Sequence, residues 1–149
     1  MTVGSTNSTT TSRVGQVNVN SGTINTNNLK FKTGAGAGRE AQAVLSMGNN
    51  SKIYVSGAVS FAPNNRGTLN SNSGSPGATF VYNKTTGSQT LAFPSSGAAA
   101  FVYNNIWSEN TTPSSSGLII TNNLTSTNVA GNIEVHSGAW MQLGSNVSI

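Results

Sequence analysis

The chain has 149 residues, enough for one domain of ordinary size, and only 7% are charged against 35% hydrophobic, so its bulk is Asn, Ser, Thr and Gly. There is no Cys, which excludes disulfides and thiolate metal sites and leaves stability to packing and backbone hydrogen bonds. The formal net charge is +4, yet all seven basic residues lie in the first 84 positions, opposed there only by Glu40, and the only formal charges beyond them are Glu109 and Glu134.

Polarity without charge is compatible with disorder, but Val, Ile, Phe, Tyr and Trp recur here in short clusters, as short strands between polar turns would leave them. The expected fold class is therefore all-β. Residues 1–16, rich in Ser, Thr, Asn and Gly, read as a flexible N-terminal arm, and residues 17–149 as a single β-rich repeat domain. The first residues lack a basic start followed by an apolar core, so no Sec-type signal is read, and no apolar stretch approaches membrane-spanning length, so no membrane insertion is expected.

Val17 to Ile24 gives a strand, a turn at Ser21-Gly22 and a second strand; Leu29-Lys30-Phe31-Lys32 alternates apolar and basic residues. The run Gly34 to Gly38 interrupts the pattern, Ala41 to Met47 reads as the one place for a helical turn, and residues 33–47 together read as an irregular insertion or cap. From Ile53 the pattern tightens. Ile53-Tyr54-Val55-Ser56-Gly57 can be laid over Ile133-Glu134-Val135-His136-Ser137-Gly138 with one extra residue in the later copy, and Val17 to Gly22 has that copy's form. Phe80-Val81-Tyr82-Asn83 recurs as Phe101-Val102-Tyr103-Asn104.

Gly57, Gly77, Gly97, Gly117 and Gly138 follow one another at steps of 20, 20, 20 and 21 residues, each opening an apolar run. A fixed period of this length points to stacked repeats. Short strands joined at glycine corners would coil, and coils stacked at about 4.8 Å would ladder equivalent residues. On that spacing Phe80 lies over Phe101, Tyr82 over Tyr103 and Asn83 over Asn104, in about five to seven coils. Because the rod's axis then follows the sequence, one end is basic and the other mildly acidic, which suits docking on an anionic surface or head-to-tail contact.

The stretch Ile133 to Ile149 resembles the repeat style of right-handed parallel β-helices, the β-solenoids of bacteriophage tail spikes and fibres, bacterial adhesin passengers and pectin-lyase-like proteins. A β-sandwich or jelly roll is the rival fold. The resemblance implies carboxylate sites where such proteins are enzymes, but Glu40, Glu109 and Glu134 fall in three separate segments and there is no Asp, so neither a paired-carboxylate site nor an acidic calcium loop is read. Glu134 and His136, two apart on a predicted strand, point the same way, but no nucleophile motif accompanies them, and His136 has no second His or Cys to share a metal.

No catalytic, cofactor or metal residue is assigned, and no cofactor is expected. Gly57, Gly77, Gly97, Gly117 and Gly138 are the expected structural turns; Arg13, Lys30, Lys32, Arg39 and Lys52 form the candidate docking surface, which falls short of a nucleic-acid module. The function expected is that of a non-enzymatic structural protein of a bacteriophage virion, a head-decoration or fibre subunit at the particle surface. Its partners would be other copies of itself, most simply in a trimer, and other virion proteins, with a host-surface glycan as a further candidate. The alternative is a fragment of a secreted adhesin on the bacterial cell surface, binding glycan or matrix.

Overall fold

The computed structural model describes residues 1–4, 15–33, 42–61, 66–71, 74, 76–95, 101–112 and 117–149. Every strand pairing among them is parallel, and the chain winds through them as a β-solenoid of about four turns. The first turn comprises β1 (Thr2–Gly4), β2 (Gly15–Val19) and β3 (Thr23–Thr26); the second β4 (Leu29–Lys32), β5 (Ala43–Met47) and β6 (Lys52–Val55); the third β7 (Val59–Ser60), β8 (Thr68–Ser71) and β9 (Thr79–Tyr82). Then follow β10 (Gln89–Thr90), β11 (Phe101–Val102) and β12 (Asn105–Ser108), and finally β13 (Leu118–Ile120), β14 (Ile133–Val135) and β15 (Met141–Leu143).

Three faces result. Strands β1, β4 and β7 form the first, and β10, β13 and β15 take the same place in the later turns. The second stacks β2, β5, β8 and β11, prolonged by a bridge from Tyr103 to Val129, and the third stacks β3, β6, β9, β12 and β14. Where β7 and β10 do not pair, a buried side chain takes over: Gln89 Nε2 donates to the carbonyls of Val55 (2.7 Å) and Gly57 (2.8 Å), while its Oε1 accepts from Lys84 N at 2.9 Å.

The parallel ladders establish the expected all-β solenoid and remove the sandwich alternative, but they lengthen its coil. Paired residues lie 26 to 29 positions apart on the third face and 23 to 32 apart on the others. Phe80 therefore pairs with Ile53 and Ile106, and Phe101 with Leu69. The two Phe-Val-Tyr-Asn copies are not rungs of one ladder; they sit on adjacent faces and meet inside. A coil needs three strands and three turns, and the 20-residue glycine step spans less than that. Of the three matched copies, those beginning at Ile53 and Ile133 (β6 and β14) do share the third face, whereas the one beginning at Val17 (β2) lies on the second.

Three further expectations are corrected. Ala43–Met47 is not a helical turn but a strand with alternating burial, paired with β2 and β8, because Ala43, Leu45 and Met47 all belong inside. The expected insertion at 33–47 thus ends in a regular strand; residues 34–41 lie outside the described residues. In the expected arm, β1 pairs with β4 and buries Val3, and Gly15 and Gln16 already belong to β2; residues 5–14 lie outside the described residues.

Inside, period-2 alternation sends columns of apolar side chains toward the axis. Ile24, Ile53, Phe80, Ile106 and Ile133 form one column on the third face, half-buried at its two ends and fully buried between. Aromatic rings cross-link the faces: Phe31, Phe61 and Phe101 lie within 5.2 Å of one another, and Tyr103 meets Phe80 (5.0 Å), Phe93 (5.3 Å) and Phe101 (5.5 Å) edge-on. Each such side chain contributes about 1.5–3 kcal/mol by burial.

A buried polar contact joins Tyr82 and Tyr103, whose hydroxyls lie 3.0 Å apart; Tyr103 donates to Ala92 O at 2.8 Å, so Tyr82 donates to Tyr103. Burial pushes the Tyr82 phenol up to about 12, and burial beside Tyr82 pushes Tyr103 well above its ordinary value of 10.0. Above pH 10 the unfolded chain releases these protons while the folded chain keeps them, so stability is full below pH 10 and falls as pH rises toward 12. Melting followed from pH 8 to 12 should show this loss. Tyr103→Phe should lessen this loss, leaving the part that Tyr82 carries by its own burial, and, by orphaning Ala92 O, reduce stability near neutrality by about 1–3 kcal/mol.

Candidate functional site

The outward column of the third face runs Asn25, Tyr54, Val81, Trp107, Glu134. Val81 is buried although it points away from the core, because Tyr54 and Trp107 flank it on the neighbouring coils. Lys52 reaches across β9 to place its ammonium 4.0 Å from the centre of the Trp107 ring, and the His136 ring lies 4.6 Å from that ring. The cation over the indole face is worth about 0.5–1 kcal/mol at an exposed position. Trp107 Nε1 is buried without a hydrogen-bond partner.

One coil of about 27 residues also brings together carboxylates that sequence distance separates. Glu109 Oε1 lies 3.1 Å from His136 Nδ1, and Glu134 Oε2 lies 3.7 Å from His136 Nε2. The reading of three unconnected acidic residues is corrected for these two. They flank opposite edges of the imidazole and so do not converge on one ion, and no cluster of three metal-ligating side chains occurs among the described residues. The neighbouring Ser108 hydroxyl donates to Trp140 O at 2.8 Å instead of to His136, so it does not complete a nucleophile set. Beside this cluster an open groove of about 500 Å³ crosses four coils, lined by Lys52, Thr79, Asn104, Asn105, Trp107 and Glu134 among others. At about 4.8 Å per coil it is roughly 14 Å long.

The candidate docking surface is divided by the fold. Lys30 and Lys32 lie on β4 of the first face and Lys52 on β6 of the third, with β5 of the second face between them in the chain. Arg13 and Arg39 lie outside the described residues.

The expected turn glycines separate into two kinds. Gly138 has φ +77° in a turn closed by Ala139 N donating to His136 O at 2.9 Å, a conformation glycine adopts without strain. Gly57, Gly77 and Gly117 do not take positive φ; a Cβ there would run into Asn27 and Asn28, into Asn104, and into Trp140 respectively. Their constraint is the close approach of a neighbouring coil, the preceding one at Gly57 and the following one at Gly77 and Gly117, which a sequence period does not reveal. Gly97 lies outside the described residues. Gly117→Ala should lower stability by roughly 1–3 kcal/mol, measured by denaturant unfolding, because the obstructing atoms include the backbone carbonyl of Trp140.

Compared with known proteins, the chain matches no protein-family model, no curated protein and no solved structure.

Proposed function

We propose that this chain is a non-enzymatic structural protein that acts by assembling with copies of itself and displaying its sides, as a decoration or fibre subunit of a bacteriophage particle does. One observation carries the assembly part of this reading. Among the described residues the large apolar side chains left exposed are Val135, Trp140, Leu143 and Ile149, and all belong to the last coil. Elsewhere the surface is Asn, Ser and Thr with sparse charge. Clustered apolar exposure beside unpaired strand edges marks a surface that meets another protein. The particle setting is supported by the repeat style and the uncharged polar flanks.

Light scattering coupled to size exclusion, with a circular dichroism spectrum on the same sample, tests it. The expected result is a β-rich trimer or larger assembly of the 15.2 kDa chain. A stable β-rich monomer at every concentration would overturn the reading.

A second reading, glycan binding by an adhesin-type module, is favoured by the groove beside Trp107. An indole offers a flat apolar face, and carboxylates and amides pair with sugar hydroxyls. Lys52 covers that face and would move aside. Titrating a Trp140→Phe background with neutral oligosaccharides should then change Trp107 emission saturably, and Trp107→Ala should abolish the response; a flat titration overturns this second reading.

A further inference from the structure

The two open edges of the third face present complementary sets of backbone groups. In parallel pairing the N–H and C=O of alternate residues turn toward the same neighbouring strand. Lys52 N donates to Gly22 O and Ser56 N to Thr26 O, so Gly22, Ile24 and Thr26 face β6, while the backbone groups of Thr23 and Asn25 face outward from the first coil. At the other end Ile106 N donates to Asn132 O and His136 N to Ser108 O, so Asn132, Glu134 and His136 face β12, while those of Ile133 and Val135 face the open edge. Between the ends the same rule holds: Thr79 N donates to Ser51 O and Asn105 N to Ala78 O. Each inward residue from Ile24 to Ile133 therefore turns its backbone toward the following coil.

We propose that the C-terminal coil is a head-to-tail interface, on which the first coil of a second copy stacks with Ile133 beside that copy's Ile24. This rests on the reading that the chain is an assembly subunit, and it names the partner and the contact. In that register the free groups of Ile133 meet those of Thr23 and Asn25, continuing the alternation of every internal step. The inward column then runs from Ile133 into Ile24, residues left half-buried at the two ends of a single subunit. Exposed Val135 comes to lie beside the half-buried Thr26. Charge favours the same direction. The acidic Glu109 and Glu134 are in the last coils and Lys30, Lys32 and Lys52 in the second, whereas a two-fold pairing of β14 with its own copy would set Glu134 against Glu134. A heterologous contact of this kind repeats without closing unless its rotation forms a ring, so it gives a growing rod in place of a fixed trimer.

Two edge variants test the direction of stacking. Val135→Lys puts a charge into the C-terminal edge at an exposed side chain, and Asn25→Pro removes a free N–H from the N-terminal edge without touching a bond to β6. Sedimentation should show wild-type mass rising with concentration and each variant alone remaining at one subunit. A 1:1 mixture of the two should double the mass to a dimer and stop there, since it leaves one intact junction. Leu143→Lys and Thr23→Pro repeat the experiment should either first variant lose its β-type dichroism. If Asn25→Pro alone still dimerises while Val135→Lys does not, the contact is C-terminus to C-terminus and the proposal is overturned. If both variants assemble like the wild type, the sides carry assembly, which overturns this interface but leaves the structural reading standing. A wild type that stays monomeric overturns both.

Discussion

Parallel backbone pairing between successive coils is the constraint on which the rest of this molecule depends. Each strand exchanges hydrogen bonds with the coil before it through one set of alternate residues and with the coil after it through the other, at a spacing near 4.8 Å. Neighbouring side chains in a column are then forced to share an environment, which is why Ile53, Phe80 and Ile106 are all apolar and why the outward column can bury Val81 between two aromatic residues. The same spacing fixes where glycine is needed. At Gly57, Gly77 and Gly117 the neighbouring coil, not the local turn, occupies the room a side chain would take.

How much of this was legible in the sequence follows from which effects are local. Short β-branched and aromatic clusters between Ser-Gly and Asn-rich turns are local, and they point correctly to an all-β solenoid. The turn at Ser137-Gly138 is local too, and its positive φ matches its sequence. Coil length is not local. The glycines recur every 20 residues, yet the ladder advances by about 27 on the third face, because Gly77 stands at the corner that enters that face whereas Gly57 and Gly117 stand at the corner that leaves it, two coils apart. Once that advance is known, Trp107 is placed beside Glu134 and Glu109 near His136, a cluster hidden when the acidic residues are considered one segment at a time. Ala43–Met47 misleads for a related reason: alanine and leucine favour helices locally, and two flanking strands override that preference.

Sides and ends divide the chemistry of the solenoid. Its sides hold the charges and the amide-rich groove, in contact with water at every coil. Its ends hold backbone groups that no internal coil satisfies, and at the C-terminal end they are joined by apolar side chains that no internal coil covers. A repeat protein in which each coil touches only its neighbours meets this problem wherever its coils stop.

The lateral cluster and the open end are not independent, because β14 belongs to both. This strand has three residues, and an edge strand so short frays easily when nothing fixes it. Here it is fixed from one side by ladder bonds to β12 and from its flank by His136, which lies between Glu109 of the preceding coil and Glu134 of β14 itself. The turn at Gly138 then carries the chain to Trp140, whose carbonyl accepts from Leu118 N and from Ser108 Oγ. These contacts hold the terminal edge in the extended conformation that the proposed stacking requires. Ordering that edge has then already been achieved within the subunit, so in the stacking proposed above an arriving coil would order only its own residues, and its binding free energy would be correspondingly less opposed by entropy.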